Sequence, residues 1–327
     1  MKNEIIPKLS FLGDNDLEKF NSLYSPSMEN NIPSYEKSWA YLNFWFSKTT
    51  LKYYDEKSFI VINCEKNHND WIVSIIKPYD IKNVNISIKI LDFFCHFCDV
   101  ESLSIRYYYE QELISIKNNA IKNIQDRFPQ NIYDLLELYN HSGSIWAPFR
   151  LRINRFINEY RLRYKVIILD SYNKQKAYDV LSAWYESFKI RTSYKDYNFL
   201  PDIDWYDKVI DYYCKSSSVY DQGIIIEIDD CPFALGCFSQ ISMDTIGIYT
   251  NIASTTIKGL SEFLLFSLAE RALNHGYKYA NIGHASRESE FQYKNKMIAK
   301  ELRQVSVLFM EGMRDSSESL DSLLKEL

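Results

Sequence analysis

Three short strand-like runs in close succession constrain the fold of this 327-residue chain more than any other feature. The runs Gly223–Ile228, Phe233–Gln240 and Thr245–Ile252 are rich in β-branched and aromatic residues, which favour strands. They are separated by Asp229-Asp230-Cys231-Pro232 and by Ser242-Met243-Asp244, which are residue types that form turns. The pattern predicts an antiparallel meander.

A helix and a further strand follow this meander. The helix has one apolar face and ends at His275-Gly276, and the strand covers Tyr277–Ile282. The face consists of Leu260, Leu264, Leu268 and Ala272, with Phe263 alongside. Because a helix joins the last strand of the meander to the next strand, we expect these two strands to be parallel and to part where a ligand enters.

Two more helices precede the meander, at Tyr178–Ile190 and around Trp205 to Cys214, by the spacing of their apolar residues. The resulting order of two helices, three antiparallel strands, helix and parallel strand is that of the GNAT acyltransferase fold. The second half of the chain is therefore predicted to be a GNAT-like domain.

The first half shows a shorter version of the same order. Ser58–Cys64 and Trp71–Ile76 form a predicted hairpin, Ile81–Cys98 has a helical apolar stripe, and Leu103–Tyr107 returns as a strand. We therefore predict an α+β protein of two tandem GNAT-like domains, with mixed, mostly antiparallel sheets flanked by helices.

The predicted boundaries are an N-terminal domain at 1–145, a basic connecting helix at 146–166 and a C-terminal catalytic domain at 167–327. The first domain is expected to be non-catalytic because its version of the fold is shortened. Two domains also suit the length, since a domain usually takes about 100–200 residues.

Composition excludes several kinds of site. Only 9 glycines occur, and no G-x-G-x-x-G, G-x-x-x-x-G-K or G-x-S-x-G pattern is present, which argues against a dinucleotide cradle, a P-loop and a nucleophile elbow. The five histidines form no H-E-x-x-H, and Cys95-His96-Phe97-Cys98 is a single CxxC. We expect a buried pair of cysteines there, and no metal.

The charge and the apolar runs bear on location. The formal net charge is −5, which argues against broad, non-specific coating of nucleic acid or membrane. No run approaches the ~20 apolar residues of a spanning helix, and the start lacks a signal-peptide pattern. We predict a cytoplasmic protein with reduced cysteines and no transmembrane segment.

A basic segment lies between the two halves. It carries six cations against the single Glu159 and has apolar residues at helical spacing, so it is predicted to be an amphipathic helix. The cations are Arg150, Arg152, Arg155, Arg161, Arg163 and Lys165. Two interpretations stay open: a solvated interdomain helix, or a surface that binds the phosphates of a tRNA acceptor arm or of an anionic lipid.

The loop before the predicted helix at Leu260 is a candidate binding element. In GNAT enzymes that use acyl-CoA, this loop reads Gln/Arg-x-x-Gly-x-Gly/Ala, and its amides bind the pyrophosphate of coenzyme A. Here Thr256-Ile257-Lys258-Gly259-Leu260-Ser261 keeps only Gly259. Lys258 and Gly259 remain candidate binding residues, but the loop suggests an acyl donor other than coenzyme A. A threonine capping the helix is the alternative interpretation.

A second candidate site follows the strand that ends at Ile282. Polar residues and a glycine occur from Asn281 to Glu288, and two lysines follow at 294 and 296. Such sheets place ligand-binding groups at the carboxyl ends of their strands. An exposed, lysine-rich start of a helix is the alternative.

Several of these segments resemble the catalytic region of the lysyl-phosphatidylglycerol synthases, and most closely its soluble relatives. The resemblance extends from about Tyr41 to Phe309. It rests on Leu138-Tyr-Asn-His-Ser-Gly143, Arg150-Leu-Arg-Ile-Asn-Arg-Phe156 with its continuation to Tyr160, Trp184, Asn281-Ile-Gly283 and Lys294-Asn-Lys296. It implies transfer of an aminoacyl group from aminoacyl-tRNA to a lipid hydroxyl or to a small amine or hydroxyl acceptor, with no further cofactor.

The resemblance also implies site residues. The family's basic motif falls on Arg150, Arg152, Asn154 and Arg155, its loop on Asn281 and Gly283, and its late element on Lys294 and Lys296, with Met297 in place of an aromatic residue. In the mechanism that we expect, Arg152 and Arg155 hold the acceptor stem, and Lys294 or Lys296 binds terminal phosphates or the developing oxyanion. His284 or Glu288 takes the proton of the acceptor.

Two other functions stay open at this point. The first is an acyl-CoA-dependent N-acyltransferase. The second is a non-catalytic module that binds tRNA or an anionic membrane through the basic helix, in which case binding depends on salt and occurs without turnover.

Overall fold

The computed structural model describes most of the chain. The described residues are 2–24, 38–45, 49–55, 58–67, 70–76, 84–109, 122–125, 129–193, 203–216, 218–285, 288–295, 300–302, 304–311 and 320–327.

Helices occur along the whole described chain, and no described helix has the length and apolar character needed to cross a membrane. They are α1 (Lys2–Ile5), α2 (Leu17–Tyr24), α3 (Trp39–Trp45), α4 (Val84–Phe97), α5 (Leu135–Asn140), α6 (Ala147–Tyr160), α7 (Lys174–Ser193), α8 (Ile203–Lys215), α9 (Leu260–Asn274), α10 (Glu288–Asn295) and α11 (Leu320–Glu326).

The strands form two mixed sheets. They are β1 (Leu9–Phe11), β2 (Thr50–Asp55), β3 (Ser58–Asn67), β4 (Asp70–Ile76), β5 (Ser102–Tyr109), β6 (Lys122–Gln125), β7 (Gln130–Asp134), β8 (Tyr164–Ile168), β9 (Asp221–Ile228), β10 (Cys231–Gln240), β11 (Thr245–Ala253), β12 (Tyr279–His284), β13 (Lys300–Leu302) and β14 (Gln304–Glu311).

The chain forms two compact units, neither of which is continuous in sequence. Unit 1 comprises Met1–Ser27, Phe46–Pro129 and Arg303–Leu327, and unit 2 comprises Met28–Trp45 and Gln130–Leu302. These limits differ from the predicted division at residues 145 and 166. The basic helix α6 is part of unit 2, and the last strand, β14, is part of unit 1. The reason is hydrogen bonding between strands far apart in sequence, since β14 pairs with β5 and β6, and β7 pairs with β12 and β13.

Unit 1 contains the sheet β1-β2-β3-β4-β5-β14-β6, in which β4 and β5 are parallel and the other pairs are antiparallel. The apolar stripe predicted around residues 81–98 is α4, and its Phe93 and Phe94 are buried in the core of this unit. Cys98 lies in the same core, as expected for half of the CxxC pair, whereas Cys95 is partly exposed.

Unit 2 contains the sheet β13-β7-β12-β11-β10-β9-β8, in which β11 and β12 are parallel and the other pairs are antiparallel. Alternate residues of the strands point to opposite faces. One face packs against α5, α6 and α9, and the other against α3, α7 and α8. The predicted meander is β9, β10 and β11, and the helix that follows it is α9. The predicted fold class, two tandem GNAT-like α+β units, is confirmed.

Candidate functional site

The parallel strands β11 and β12 part at their carboxyl ends. They pair over only three positions, Thr245–Gly247 with Tyr279–Asn281, although β11 continues to Ala253 and β12 to His284. A bulge in β11 lies just beyond the paired stretch. Ile248 is opposite Phe238 and Thr250 is opposite Cys237, so Tyr249 is the extra residue. Beyond Gly247, backbone groups on the β12 side of β11 face the opening between the strands, which we call the split.

The corresponding strands of unit 1 do not part over their described residues. There β4 and β5 pair from Ile72 with Ser102 to Ile76 with Arg106, which reaches the last residue of β4. The hydroxyl groups of Ser74 and Ser104 lie 3.1 Å apart and join the two strands by a side-chain hydrogen bond as well. Over the described strands, the split is therefore found in unit 2 alone.

The loop before α9 is covered by α6. Gly259 has φ +85°, and an added Cβ would lie 2.9 Å from the carbonyl carbon of Arg152 and closer still to its oxygen. Only glycine combines this backbone conformation with so close an approach of another helix. Phe156 of α6 stacks on Phe263 of α9, with ring centroids 4.6 Å apart.

A carboxylate occupies the first turn of α9. Glu262 is buried, and its Oε1 lies 2.5 Å from Nη1 of Arg152. A negative side chain at this position is favourable because the helix dipole is positive there. Together with the backbone of α6, Glu262 occupies the end of α9 at which a GNAT acyl-CoA enzyme holds pyrophosphate. Lys258 is exposed in the same loop.

Most cations of the basic segment have partners inside unit 2. Arg150 donates to the carbonyl oxygens of His141 and Gly143, at 2.5 and 3.3 Å. Arg163 forms a two-pronged ion pair with Asp229 that lowers the pKa of this carboxyl group.

Lys165 pairs with Asp230 at 2.6 Å and likewise lowers the pKa of that carboxyl group. Arg155 and Arg161 are exposed and make no ion pair or hydrogen bond within the described part of the chain. Asn154 is exposed on α6 as well. Within the described residues, the expectation of a six-cation surface is therefore corrected to two unpaired arginines, because carboxylates distant in sequence and nearby carbonyl groups engage the other four cations.

The Asn281-Ile282-Gly283 sequence belongs to β12 and not to a loop. Asn281 is fully buried, its Nδ2 donates to Oε1 of Gln130 at 2.7 Å, and its Oδ1 accepts from the backbone N–H of Gly283 at 2.9 Å. Gly283 has φ +68°, and the register of β12 against β7 shifts between Asn281 and His284. In this arrangement Asn281 and Gly283 shape the bulged end of the strand.

Lys294 ties α10 to the end of β12. Its Nζ donates to the carbonyl oxygens of Ile282 at 3.2 Å and His284 at 3.0 Å, and lies 2.9 Å from Oε1 of Glu290. The hydroxyl of Tyr133 donates to the backbone carbonyl of Lys294 at 2.9 Å. An ammonium group has three N–H donors. The carbonyl oxygens of Ile282 and His284 and the carboxylate of Glu290 therefore use all the donors of Lys294 Nζ.

The other residues predicted after β12 have different environments. The side chains of His284 and Glu288 are exposed, and Glu288 accepts a hydrogen bond from Gln292 at 3.2 Å. Lys296 and Met297 lie outside the described residues. The structure thus brings Lys294, His284 and Glu288 to one end of β12, whereas Arg152 and Gly259 lie at the start of α9.

Two buried polar residues near the split were missed by the sequence analysis. Asn131 on β7 is 0% exposed, and neither its Nδ2 nor its Oδ1 has a hydrogen-bond partner in the part of the chain that the structure describes. Thr250 on β11 is 2% exposed, and its Oγ1 has no partner either. For Asn131, the sequence offered only the run Gln130-Asn131-Ile132-Tyr133. This run is too short and too polar to predict a strand. Among the described residues, no group of three or more His, Cys, Asp or Glu side chains is placed to hold a metal ion.

Comparison with solved structures agrees with this architecture. The chain superimposes with a TM-score of 0.75 on a conserved protein of unknown function from Bacteroides thetaiotaomicron VPI-5482, at 16% identity over 92% of this chain and 99% of the other. L-PGS from Bacillus licheniformis gives a TM-score of 0.60 and 15% identity, with 96% and 95% of the two chains covered.

A third similar structure is the C-terminal domain of a putative lysylphosphatidylglycerol synthetase from Agrobacterium fabrum. It gives a TM-score of 0.57 and 12% identity over 80% of this chain and 84% of the other. No family model matches the sequence, and no curated protein matches it. At these identities the similarity shows a shared fold, which is the tandem GNAT-like arrangement predicted from the order of elements.

Proposed function

We propose that this chain is an aminoacyltransferase that moves an aminoacyl group from aminoacyl-tRNA to a lipid hydroxyl or to a small amine or hydroxyl acceptor. The observation that carries the proposal is the contact of α6 with the loop before α9. The carbonyl of Arg152 lies against Gly259, and Glu262 occupies the first turn of α9. A pyrophosphate at this place would meet both a backbone oxygen and a carboxylate, so a donor that needs no pyrophosphate cradle fits unit 2 better than acyl-CoA does.

The shared fold supports the same class of reaction. One of the similar structures is part of a putative lysylphosphatidylglycerol synthetase, whose name gives a product in which a lipid carries an aminoacyl group. The motifs quoted above for the resemblance to this family include Arg155, which is one of the two unpaired arginines. We assign Arg155 and Arg161 to the phosphates of the tRNA acceptor stem, since guanidinium groups suit phosphate oxygens.

The reaction needs positioning more than activation, because an aminoacyl ester is already reactive. The oxygen or nitrogen of the acceptor attacks the ester carbonyl carbon, and the bond from this carbon to the ribose oxygen of the tRNA then breaks. We place the ester at the carboxyl ends of β11 and β12, where backbone N–H groups of β11 beyond Gly247 stabilise the developing oxyanion. His284 or Glu288 takes the proton of the acceptor, and the proton ends on the ribose oxygen. Lys296 remains a candidate for binding terminal phosphates.

The test is to incubate the protein with total tRNA charged with labelled amino acids, together with a lipid extract or a mixture of small amines. We expect label from one or a few amino acids to leave the tRNA and appear in the acceptor. Parallel incubations use labelled acetyl-CoA and titration with coenzyme A.

Two results would contradict the proposal. Acetyl transfer with saturable coenzyme A binding, and no loss of aminoacyl-tRNA, would favour the acyl-CoA enzyme. Salt-dependent binding of tRNA or of phosphatidylglycerol vesicles without any turnover would favour the non-catalytic module.

A further inference from the structure

Strand β7 carries a buried amide that has no hydrogen-bond partner among the described residues. Asn131 is 0% exposed, and both polar atoms of its side chain lack a hydrogen-bond partner. Buried polar groups are nearly always paired, because leaving one unpaired costs the full loss of its hydration. Asn281 on the neighbouring strand is equally buried, and both atoms of its amide are paired. The unpaired state is thus particular to Asn131 and not general to asparagines of this sheet.

Asn131 lies beside the carboxyl end of β12. Gln130 is in register with His284, and Ile132 with Asn281, so Asn131 lies opposite the bulge at the end of β12. This level is one strand away from the split. By the alternation of strand residues, the side chain of Asn131 is on the same face as Tyr133, whose hydroxyl binds the backbone of α10.

We infer that Asn131 is a substrate-binding residue that takes the α-amino ester of the donor. This rests on the function proposed above. An amide offers one acceptor, Oδ1, and two donors on Nδ2. The aminoacyl ester offers the complement, an ammonium donor and a carbonyl acceptor separated by one carbon. Because Asn131 is fully buried, the ester reaches it only when neighbouring groups move. The element that we expect to move is α10, because its backbone is bound by Tyr133, which lies on the same face of β7 as Asn131.

The first test separates a ligand-binding amide from a structural one. Asn131→Leu keeps the branching and number of heavy atoms while removing both polar atoms, and Asn281→Leu is the matched control on the next strand. We expect the melting temperature of Asn131→Leu to equal that of the wild type or to exceed it by up to about 2–4 °C. The reason is that the substitution removes an unpaired buried amide. We expect Asn281→Leu to melt at a lower temperature than wild type, because it removes the hydrogen bonds of the Asn281 amide to Gln130 and to the Gly283 N–H.

The second test measures binding and transfer. Amino-acid methyl esters serve as the probe in a thermal-shift assay, and charged total tRNA serves in single-turnover release. At least one ester should raise the melting temperature of the wild type and not that of Asn131→Leu. Release of the amino acid should be about tenfold slower or more in the variant. Asn131→Ala repeats the comparison if leucine does not fit.

Three results would overturn the inference. Asn131→Leu could melt as far below wild type as Asn281→Leu does, which would show that the amide is paired in solution and structural. It could release the amino acid at the wild-type rate. A third contrary result would be that none of the tested esters raises the melting temperature of the wild type more than that of the variant. If the wild type binds an ester through Asn131 but transfers nothing from charged tRNA, the proposed function is contradicted while the binding site at Asn131 is supported.

Discussion

Substituting Gly259 tests whether α6 really lies on the loop before α9. Gly259→Ala introduces two costs. A residue with a side chain at φ +85° costs roughly 1–2 kcal/mol in the left-handed region. The new Cβ also lies 2.9 Å from the carbonyl carbon of Arg152 and 3.3 Å from Cβ of Phe156, so α6 has to shift. Such overpacking typically costs about 1–3 kcal/mol.

Gly276→Ala is the matched control. Gly276 has the same φ of +85°, but an added Cβ there meets no atom within 4 Å. Gly276→Ala is therefore destabilised only by the left-handed backbone conformation, without any steric contact. The difference between the two variants isolates the contact with α6, and we expect it to be about 1–3 kcal/mol.

Urea denaturation followed by tryptophan fluorescence measures both variants, and Trp146 next to α6 reports on unit 2. If Gly259→Ala is no less stable than Gly276→Ala, α6 does not cover the loop. The loop before α9 would then be open to the pyrophosphate of coenzyme A.

Three further predictions concern other parts of unit 2. Arg155→Ala should weaken tRNA binding and reduce the slope of log K against log salt by about 0.7–0.9, whereas Arg163→Ala, whose guanidinium already pairs with Asp229, should leave the slope unchanged. Lys294→Met should lower the free energy of unfolding by about 1–3 kcal/mol, because two carbonyl oxygens lose their donor; full stability with loss of turnover alone would instead support the predicted catalytic role of this lysine. Asp211→Asn should be less stable than wild type at pH 7, because the hydrogen bond from Lys174 lowers the pKa of Asp211. That contribution is present above about pH 4 and is lost as the pH falls through the lowered pKa, so urea midpoints of the two proteins should converge in acid.

Local patterns predicted the centre of unit 2 well. The meander and the helix after it depend on alternation, turn residues and a 3.6-residue stripe, which lie within a few residues of one another. The stripe through Leu264 and Leu268 is buried in α9, and Gly276 follows the helix with φ +85°, as its place at a helix end indicates.

The rest depends on contacts that no local pattern contains. β7 is a five-residue strand with two amide side chains, and its place in the sheet follows from pairing with β12 and β13 more than 140 residues further along the chain. In the same way, the charge of Lys294 suggested a group available to substrate. Its engagement by the carbonyl oxygens of Ile282 and His284 depends on where α10 docks.

The parting of β11 and β12 was predicted from connectivity alone, because a helical crossover makes two strands parallel. Residues 147–160 of the basic segment form the predicted amphipathic helix, and its buried face includes Ile153 and Phe156. The prediction that this helix extends to residue 166 was wrong, because the helix ends at Tyr160, and Tyr164 and Lys165 belong to β8. The expectation of six available cations was too high, since three of their partners lie far along the chain: Asp229 and Asp230 in the turn between β9 and β10, and Glu262 in α9. Sequence thus indicates where a charge is, and the fold determines which charges remain available.

The most direct measurement of the central claim is a single-turnover experiment with the protein in excess over labelled, charged total tRNA. We expect label to leave the tRNA in one exponential phase and to be recovered in an acceptor, at a rate that coenzyme A does not change. Label that stays on the tRNA while acetyl-CoA is consumed would contradict it.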